Sequence, residues 1–173
     1  MRNNFLNKFF LITFFVLFSF VLKAEQSKNI GEHQINFYTG NFDFSDHKQK
    51  SILVGFQHQN ENLERKTFLG NASPITGGFI TEKSAAYIYT GVEWNYDLGG
   101  KMTFTPSFAP GLYSQGNGKD LGHALEFKTE VQASYLITEK SSLGMSYNHI
   151  SNASLGDKNP GANSYMVNYL KSF

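Results

Sequence analysis

Apolar and polar side chains alternate along most of the chain after residue 24. Residues 125–137 show the pattern clearly, because the odd positions are mostly apolar while the even positions are mostly charged or polar. A period of two is typical of a β-strand whose two faces meet different surroundings, and no long segment shows the helical period. The pattern predicts strands at 33–44, 51–60, 64–75, 85–97, 101–115, 122–137, 141–152 and 163–173.

The length and number of these strands predict one closed sheet. Most segments reach the roughly ten residues that a tilted strand needs to cross a bilayer. The third segment is the weakest, because Pro74 and the pair Gly77 and Gly78 interrupt its pattern. Eight is an even number, as in single-chain bacterial barrels. We therefore expect an all-β fold, an eight-stranded antiparallel transmembrane β-barrel of the outer membrane, formed by residues 25–173.

The charged residues among the polar positions indicate which face of the sheet is turned inward. They are Glu93, Asp97, Glu126, Lys128 and Glu130. The lumen of an eight-stranded barrel is just wide enough for side chains to fill it, and opposite charges can pair there. The other face would turn to lipid, which suits the aromatic content of 16%. A soluble, lipocalin-like barrel with the faces inverted is the structural alternative.

The two ends of the chain carry features of export to the outer membrane. Arg2 and Lys8 precede an almost wholly apolar run at residues 9–22, and Ala24 offers a small residue for cleavage. This order is that of a secretory signal peptide, which we place at residues 1–24. The final Phe173, preceded by alternating aromatic residues, is similar to the C-terminal signal of assembled outer-membrane barrels. We therefore expect a protein of the outer membrane of a Gram-negative bacterium.

Composition and charge argue against other functional classes. The formal net charge is only +1, so we expect no nucleic-acid partner. The chain has no cysteine, and His33, His47, His58 and His123 show no metal-ligand spacing. We therefore predict no metal and no cofactor. The sequence leaves a homodimer open.

A histidine and a serine stand two residues apart in the seventh predicted strand. The odd positions of this strand are Leu143, Met145, Tyr147, His149 and Ser151, so the pair continues the outward, apolar row. An imidazole that takes the proton of a serine hydroxyl turns that hydroxyl into a nucleophile. Such a pair on this face would suit a substrate that is itself in the membrane. The alternative is that both are interfacial residues without a catalytic role.

Residues near the following turn could complete such a site. Asn163 opens the last strand with the same outward parity, so its amide oxygen could orient His149. Asn159, Pro160 and Gly161 form a turn, in which Gly161 permits a backbone conformation denied to other residues. The candidate donors to an oxyanion are Asn152, Asn159 and the amide of Gly161.

Residues 148–163, with H-x-S-N-A followed by N-P-G-x-N, resemble the lipid A 3-O-deacylase (PagL) family and related barrel acyloxyacyl hydrolases. The similarity extends less specifically to residues 37–40 and 118–122. The resemblance implies an outer-membrane barrel that hydrolyses the ester-linked acyl chain at the 3-position of lipid A in lipopolysaccharide. It also implies that Ser151 is the nucleophile, His149 the general base and Asn159 part of the oxyanion hole. The sequence departs from the family where Asn163 replaces an acid.

These observations lead to three hypotheses. The first, which we favour, is a lipid A deacylase that acts as a serine esterase on the membrane around it. The second is a non-catalytic barrel with a structural or adhesive role, and the third is a secreted, soluble binding barrel. An amide can orient an imidazole but cannot stabilise its charged form, so the first hypothesis depends on how the amide of Asn163 is oriented.

Overall fold

The computed structural model describes residues 25–26, 33–46 and 49–173. The predicted signal peptide, residues 1–24, lies outside the described residues, as does His47. The strands are β1 Glu25–Gln26, β2 His33–Phe42, β3 Ser51–Asn60, β4 Arg65–Thr67, β5 Gly70–Thr81, β6 Ala86–Trp94, β7 Tyr96–Gly99, β8 Met102–Ser114, β9 Leu125–Thr138, β10 Ser141–Ser151 and β11 Ala162–Ser172. A 3-10 helix spans Glu61–Leu63. Within the described ranges, no helix is long and apolar enough to cross a membrane.

Every long strand pairs antiparallel with its neighbours in sequence, so the sheet is an up-and-down meander. The pairing of β2 with β11 and of β8 with both β6 and β9 closes this sheet on itself. β6 and β7 act as one strand with an interruption at Asn95, and the short β4 lies against the start of β5. The predicted eight-stranded antiparallel barrel is confirmed.

The third barrel strand lies further along the chain than the alternation predicted. It is β5, Gly70–Thr81, rather than 64–75. Pro74 is accommodated inside it because β3 pairs only as far as Ile75 and β4 only as far as Ala72. The backbone at the proline therefore needs no N–H donor on that side. The predicted range was wrong because the sequence does not show which edge of a strand is left unpaired.

The outer wall of the barrel is apolar and its lumen is polar, as predicted. Met145 and Val167 expose 67% and 55% of their surface on the outside. In the lumen, the amides of Asn36 and Asn168 both donate to the side-chain oxygen of Gln132, each at 2.9 Å. A wall of this kind suits the hydrocarbon of a bilayer, in which a closed sheet has no unpaired edge. The alternative of a soluble barrel with inverted faces is therefore wrong.

The lumen holds most of the charged side chains that we assigned to it. Those that are buried or half-buried there are Glu93, Glu126, Lys128 and Glu130. The Lys128 ammonium lies 3.3 Å from a carboxylate oxygen of Glu130. Asp97 is exposed instead, because the consecutive residues Asn95 and Tyr96 are both buried and the alternation shifts by one residue between β6 and β7. The predicted position of Asp97 in the lumen was therefore wrong.

An apolar core fills the end of the barrel at which β10 ends and β11 begins. Its buried side chains include Phe42, Phe79, Tyr87, Tyr113, Leu121 and Ile150. The ring of Phe42 lies 5.6 Å from that of Phe79 and 6.2 Å from that of Tyr113, measured between centroids. The two longest connections between barrel strands, residues 115–124 and 152–161, leave the barrel at this end, and long connections are typical of the extracellular side. The core therefore gives these loops a fixed base.

Candidate active site

His149 and Ser151 lie at the extracellular end of β10, on the outer wall. Both side chains are half-buried, and they continue the outward row that contains Met145 and Tyr147. Ser151 is the last residue of β10, so the loop of residues 152–161 begins directly after it. This is the level at which the apolar wall meets the polar loops. The structure therefore has the predicted outward parity of the pair.

Asn163 lies directly opposite His149 in the register of β10 and β11. The backbone oxygen of Asn163 accepts from the N–H of Phe44 at 3.0 Å, so its backbone faces away from β10. Such non-hydrogen-bonded pairs bring side chains closest together in an antiparallel sheet. Accordingly, His149 Nδ1 lies 2.8 Å from Asn163 Oδ1. Because an amide oxygen can only accept, Nδ1 is the donor in this contact.

The glycine directly before β11 makes room for the imidazole. Ile150 pairs with Ala162, so Gly161 comes beside the end of β10. A Cβ added to Gly161 would lie 2.8 Å from His149 Cε1 and 3.4 Å from His149 Nε2, so the ring rests against this backbone. The φ of Gly161 is +61°, which residues with side chains rarely adopt. The absence of a side chain at Gly161 therefore leaves room for the Cε1 and Nε2 edge of the ring.

The serine and the imidazole are not hydrogen-bonded to each other in this structure. Among the described residues, no hydrogen bond involves the Ser151 hydroxyl or His149 Nε2. A serine hydroxyl turns about a single bond, and catalytic hydrogen bonds are often long or poorly aligned in the absence of substrate. The arrangement therefore supplies an oriented proton acceptor and a hydroxyl on one face, two residues apart on one strand.

The amide of Asn163 has further partners that the sequence did not identify. The phenol of Tyr147 donates to Asn163 Oδ1 at 2.8 Å, and Asn163 Nδ2 donates to Ser45 Oγ at 3.4 Å. The hydroxyl of Ser45 in turn donates to Asp43 Oδ1 at 3.2 Å. Tyr147 could have been found from its outward parity on β10. Ser45 and Asp43 could not, because they come from the loop after β2, which is far away in sequence.

The two asparagines predicted as oxyanion donors have different surroundings. The buried side chain of Asn152 donates to the backbone oxygens of Leu121 and Lys158, each at 2.8 Å, so both amide hydrogens hold loops together. Asn159 is exposed, and its Oδ1 accepts from the backbone N–H of Asn152 at 3.0 Å. Within the described part of the chain, Asn159 Nδ2 makes no hydrogen bond. Asn159 therefore keeps a side-chain donor available close to Ser151, and Asn152 does not.

Two ion pairs tie the extracellular loops into one cap. Lys119 Nζ lies 2.6 Å from Asp43 Oδ2, with both side chains largely buried, and Lys158 Nζ lies 2.5 Å from Asp120 Oδ2 at the surface. The Lys158 side chain, and then the backbone N–H of Gly122, lower the pKa of Asp120 below its ordinary value. These pairs join the loops after β2, β8 and β10. The loops that carry the candidate site residues are therefore held against each other.

A shallow groove runs down the outer wall on the membrane side of the site. Its volume is about 350 Å³. Outward side chains on four adjacent strands line it, and they are Phe37, Thr39, Val54, Leu143, Val167 and Tyr169. Along β11, Val167 follows Asn163 by four residues, which is roughly 13 Å at the usual rise of a strand. The groove therefore offers an apolar surface that lies closer to the middle of the membrane than the site does.

Two other histidines of the outer wall contact each other at the opposite end of the barrel. His33 Nδ1 lies 3.1 Å from His58 Nε2, and the two rings are stacked with their centroids 5.2 Å apart. In the portion of the chain that the structure describes, no group of three or more His, Cys, Asp or Glu side chains could hold a metal ion. The sequence had shown these two histidines only as scattered residues.

A sequence model of the lipid A 3-O-deacylase (PagL) family matches residues 37–172, which include every residue of the site. The chain belongs to this family. A search of curated protein sequences gives no match to it. The predicted family is therefore confirmed, and with it a hydrolase with a role in lipid A deacylation. The predicted location in the outer membrane of a Gram-negative bacterium is confirmed as well.

Solved structures similar to this deacylase family member are outer-membrane or designed barrels. The crystal structure of the outer membrane enzyme PagL has a TM-score of 0.65 and 18% identity, covering 81% of this chain and 99% of that one. A de novo designed transmembrane β-barrel has a TM-score of 0.59 and 10% identity, over 84% and 98%. Neisserial surface protein A has a TM-score of 0.57 and 10% identity, over 82% and 97%. A designed barrel shares the fold, so the fold alone does not determine an activity.

Proposed function

We propose that this chain removes the ester-linked acyl chain at the 3-position of lipid A by a serine–histidine mechanism. Ser151 is the nucleophile, His149 the general base and Asn163 the group that orients the imidazole. Asn159 Nδ2 and the N–H of Gly161 are the oxyanion donors. The observation that carries the proposal is the 2.8 Å contact of His149 Nδ1 with Asn163 Oδ1, on the outer wall and beside a serine.

The acyl chain is transferred to the enzyme in the first half of the reaction. His149 Nε2 takes the proton of Ser151 as the serine oxygen attacks the ester carbonyl carbon. The resulting oxyanion accepts hydrogen bonds from Asn159 and Gly161, which stabilise charge that is absent from the substrate. The bond between the carbonyl carbon and the sugar oxygen then breaks. His149 returns its proton to that oxygen, and the acyl group stays on Ser151.

Water completes the cycle in the second half. His149 Nε2 takes a proton from a water molecule, whose oxygen attacks the acyl-serine carbonyl. The bond to the serine oxygen breaks, and the imidazole returns the proton to Ser151. The fatty acid leaves, and the site is restored. The lipid-facing groove suits this reaction, because it can hold the acyl chain while the ester lies at the level of the loops.

Expression in a Gram-negative host tests the proposal. We expect the mass spectrum of lipid A to show loss of one 3-linked acyl chain in cells with the wild-type chain. Cells with Ser151→Ala should show unmodified lipid A. Ser114→Ala is a matched control, since Ser114 is an exposed residue at the end of β8. Full deacylation by a folded Ser151→Ala variant would exclude the serine as the nucleophile.

The amide at position 163 favours a second candidate, a non-catalytic barrel that keeps the family fold. A fluorophosphonate probe distinguishes the two, because it labels only a serine that is activated as a nucleophile. We expect labelling of the wild-type protein in detergent and none of the Ser151→Ala variant. Absence of labelling in wild-type protein, together with unmodified lipid A, would support the non-catalytic barrel.

A further inference from the structure

We propose that Asp43 acts through Ser45 as a positioning residue that fixes which way the Asn163 amide faces, and thereby which nitrogen of His149 carries the proton. This inference rests on the proposed function. Asp43 and Ser45 lie in the loop after β2, whereas His149 and Ser151 lie on β10. Such a device matters because position 163 carries an amide.

An amide has a face that orients the imidazole correctly and a face that does not. With its oxygen toward His149, the amide holds the proton on Nδ1 and leaves Nε2 free to accept from the serine. With its nitrogen toward the ring, Nδ1 must accept, so the proton moves to Nε2 and the base is lost. In a serine protease the wrong tautomer lowers the rate about ten-thousandfold. A carboxylate has no such second face.

The direction of the hydrogen bonds around Asn163 follows from Asp43. A carboxylate can only accept, so the Ser45 hydroxyl must donate its single proton in the 3.2 Å contact with Asp43 Oδ1. The Ser45 oxygen is then left to accept, which is what the 3.4 Å contact from Asn163 Nδ2 requires. The amide nitrogen is thereby kept on the side of the loop. The amide oxygen must consequently face β10.

Two donors meet the amide oxygen on that side. Tyr147 OH and His149 Nδ1 both lie 2.8 Å from Asn163 Oδ1. The ring of Tyr147 packs against those of Phe44 and Tyr165, with centroids 6.4 Å and 5.3 Å away, so its hydroxyl is held in place. The phenol therefore reinforces the orientation that the serine sets from the other side.

Asp43 itself is held rigidly. Its side chain is completely buried, and Oδ2 accepts from the Lys119 ammonium at 2.6 Å. Oδ1 also accepts from the backbone N–H of Asn163 at 3.4 Å. The carboxylate is therefore fixed to the same residue whose side chain it orients. In this way an acid two hydrogen bonds from the amide replaces part of what an acid at position 163 would do.

Steady-state kinetics on lipid A in detergent micelles, with purified full-length barrels, test the relay. We expect Ser45→Ala to lower kcat by about three- to tenfold, the effect of one hydrogen bond, with KM unchanged. Ser45→Thr, which keeps the hydroxyl, should restore kcat. Ser114→Ala should behave as wild type. In an Asn163→Asp background the loss caused by Ser45→Ala should disappear, because a carboxylate has no wrong face. An equal loss in both backgrounds would overturn the proposal, since it would show a purely structural role.

The imidazole nitrogens provide a readout that does not depend on turnover. In wild-type protein we expect ¹⁵N chemical shifts of His149 that show the proton on Nδ1, and a mixture of tautomers in Ser45→Ala. An unchanged tautomer in that variant would refute the relay. If the wild-type barrel shows this tautomer and loses it in Ser45→Ala but never deacylates lipid A, the proposed function fails while the relay stands.

Discussion

Histidines occupy the outer wall at both ends of the barrel, and their surroundings differ. At the extracellular end, His149 bonds an amide oxygen at 2.8 Å and has Ser151 two residues further along the same strand. At the opposite end, His33 and His58 bond each other at 3.1 Å, and no serine stands two residues away on either strand. The two ends therefore differ in the neighbours of the ring: His149 has an amide oxygen that accepts from Nδ1 and a serine on the same strand, and His33 and His58 have neither.

Alanine substitutions of the histidines at the two ends test this difference most directly. We expect His149→Ala to lower the rate of lipid A deacylation by roughly 10⁴-fold or more, as for the loss of a triad member. His33→Ala and His58→Ala should leave the rate within about twofold of wild type, because neither ring has a nucleophile beside it. The measurement is the initial rate of fatty-acid release from lipid A in micelles. A large loss in His58→Ala would remove the distinction between the two ends.

Substitution of Asn159 should have the next largest effect on kcat. Asn159→Ala should lower kcat by about 10²–10³-fold, the usual cost of losing one oxyanion donor. Asn159→Asp keeps an oxygen that can accept from the N–H of Asn152 but removes the donor. We therefore expect the aspartate variant to be at least as impaired, although its loop is intact. Wild-type kcat in Asn159→Asp would show that the residue only supports the loop.

Gly161→Ala tests whether the space beside the His149 ring matters, because it adds a methyl group without changing any charge. The added methyl would press on the His149 ring at 2.8 Å and would sit at a φ of +61°. A displacement of about 1 Å at a catalytic group costs on the order of 100-fold in rate. We therefore expect kcat to fall by about 10- to 100-fold. The electrophoretic mobility of the unheated sample should show that the barrel is still folded. The matched control is Gly99→Ala, where the φ is +81° but nothing lies near the added methyl.

Asp120→Asn should have the smallest effect. Its pKa is lowered by the Lys158 side chain, so the pair stabilises the folded loops at pH values above the ordinary pKa of an aspartate. That contribution is lost as the pH falls through the lowered pKa. We expect Tm at neutral pH to fall by roughly one degree or less in Asp120→Asn, since exposed pairs contribute little. At a pH below the lowered pKa the variant and the wild type should have the same Tm.

The alternation of apolar and polar residues was enough to predict the barrel, because the side-chain period of a strand directly reports its two faces. It also placed His149, Ser151 and Asn163 on the same wall. The register of β10 and β11 then brings His149 into contact with Asn163. The sequence failed at Pro74 and Asp97. The strand around Pro74 could not be placed without knowing which edge of that strand is unpaired. The exposure of Asp97 could not be predicted because the alternation shifts by one residue between β6 and β7.

The supporting residues of the site could not be predicted, for a different reason. Ser45 and Asp43 reach Asn163 only because closure of the barrel brings β2 against β11. The buried position of Asn152 depends in the same way on the loop after β8, through its bond to Leu121. Contacts of this kind follow from tertiary packing, and no local pattern in the sequence reports them.

Under the proposed function, the position of the site on the outer wall determines how the protein meets its substrate. No molecule would have to enter the lumen. Lipid A would arrive by lateral diffusion within its leaflet, and the released fatty acid would leave in the same layer. The turnover rate of such an enzyme should follow the mole fraction of substrate in the surrounding lipid rather than its bulk concentration. Dilution with inert detergent at constant total substrate should therefore slow the reaction.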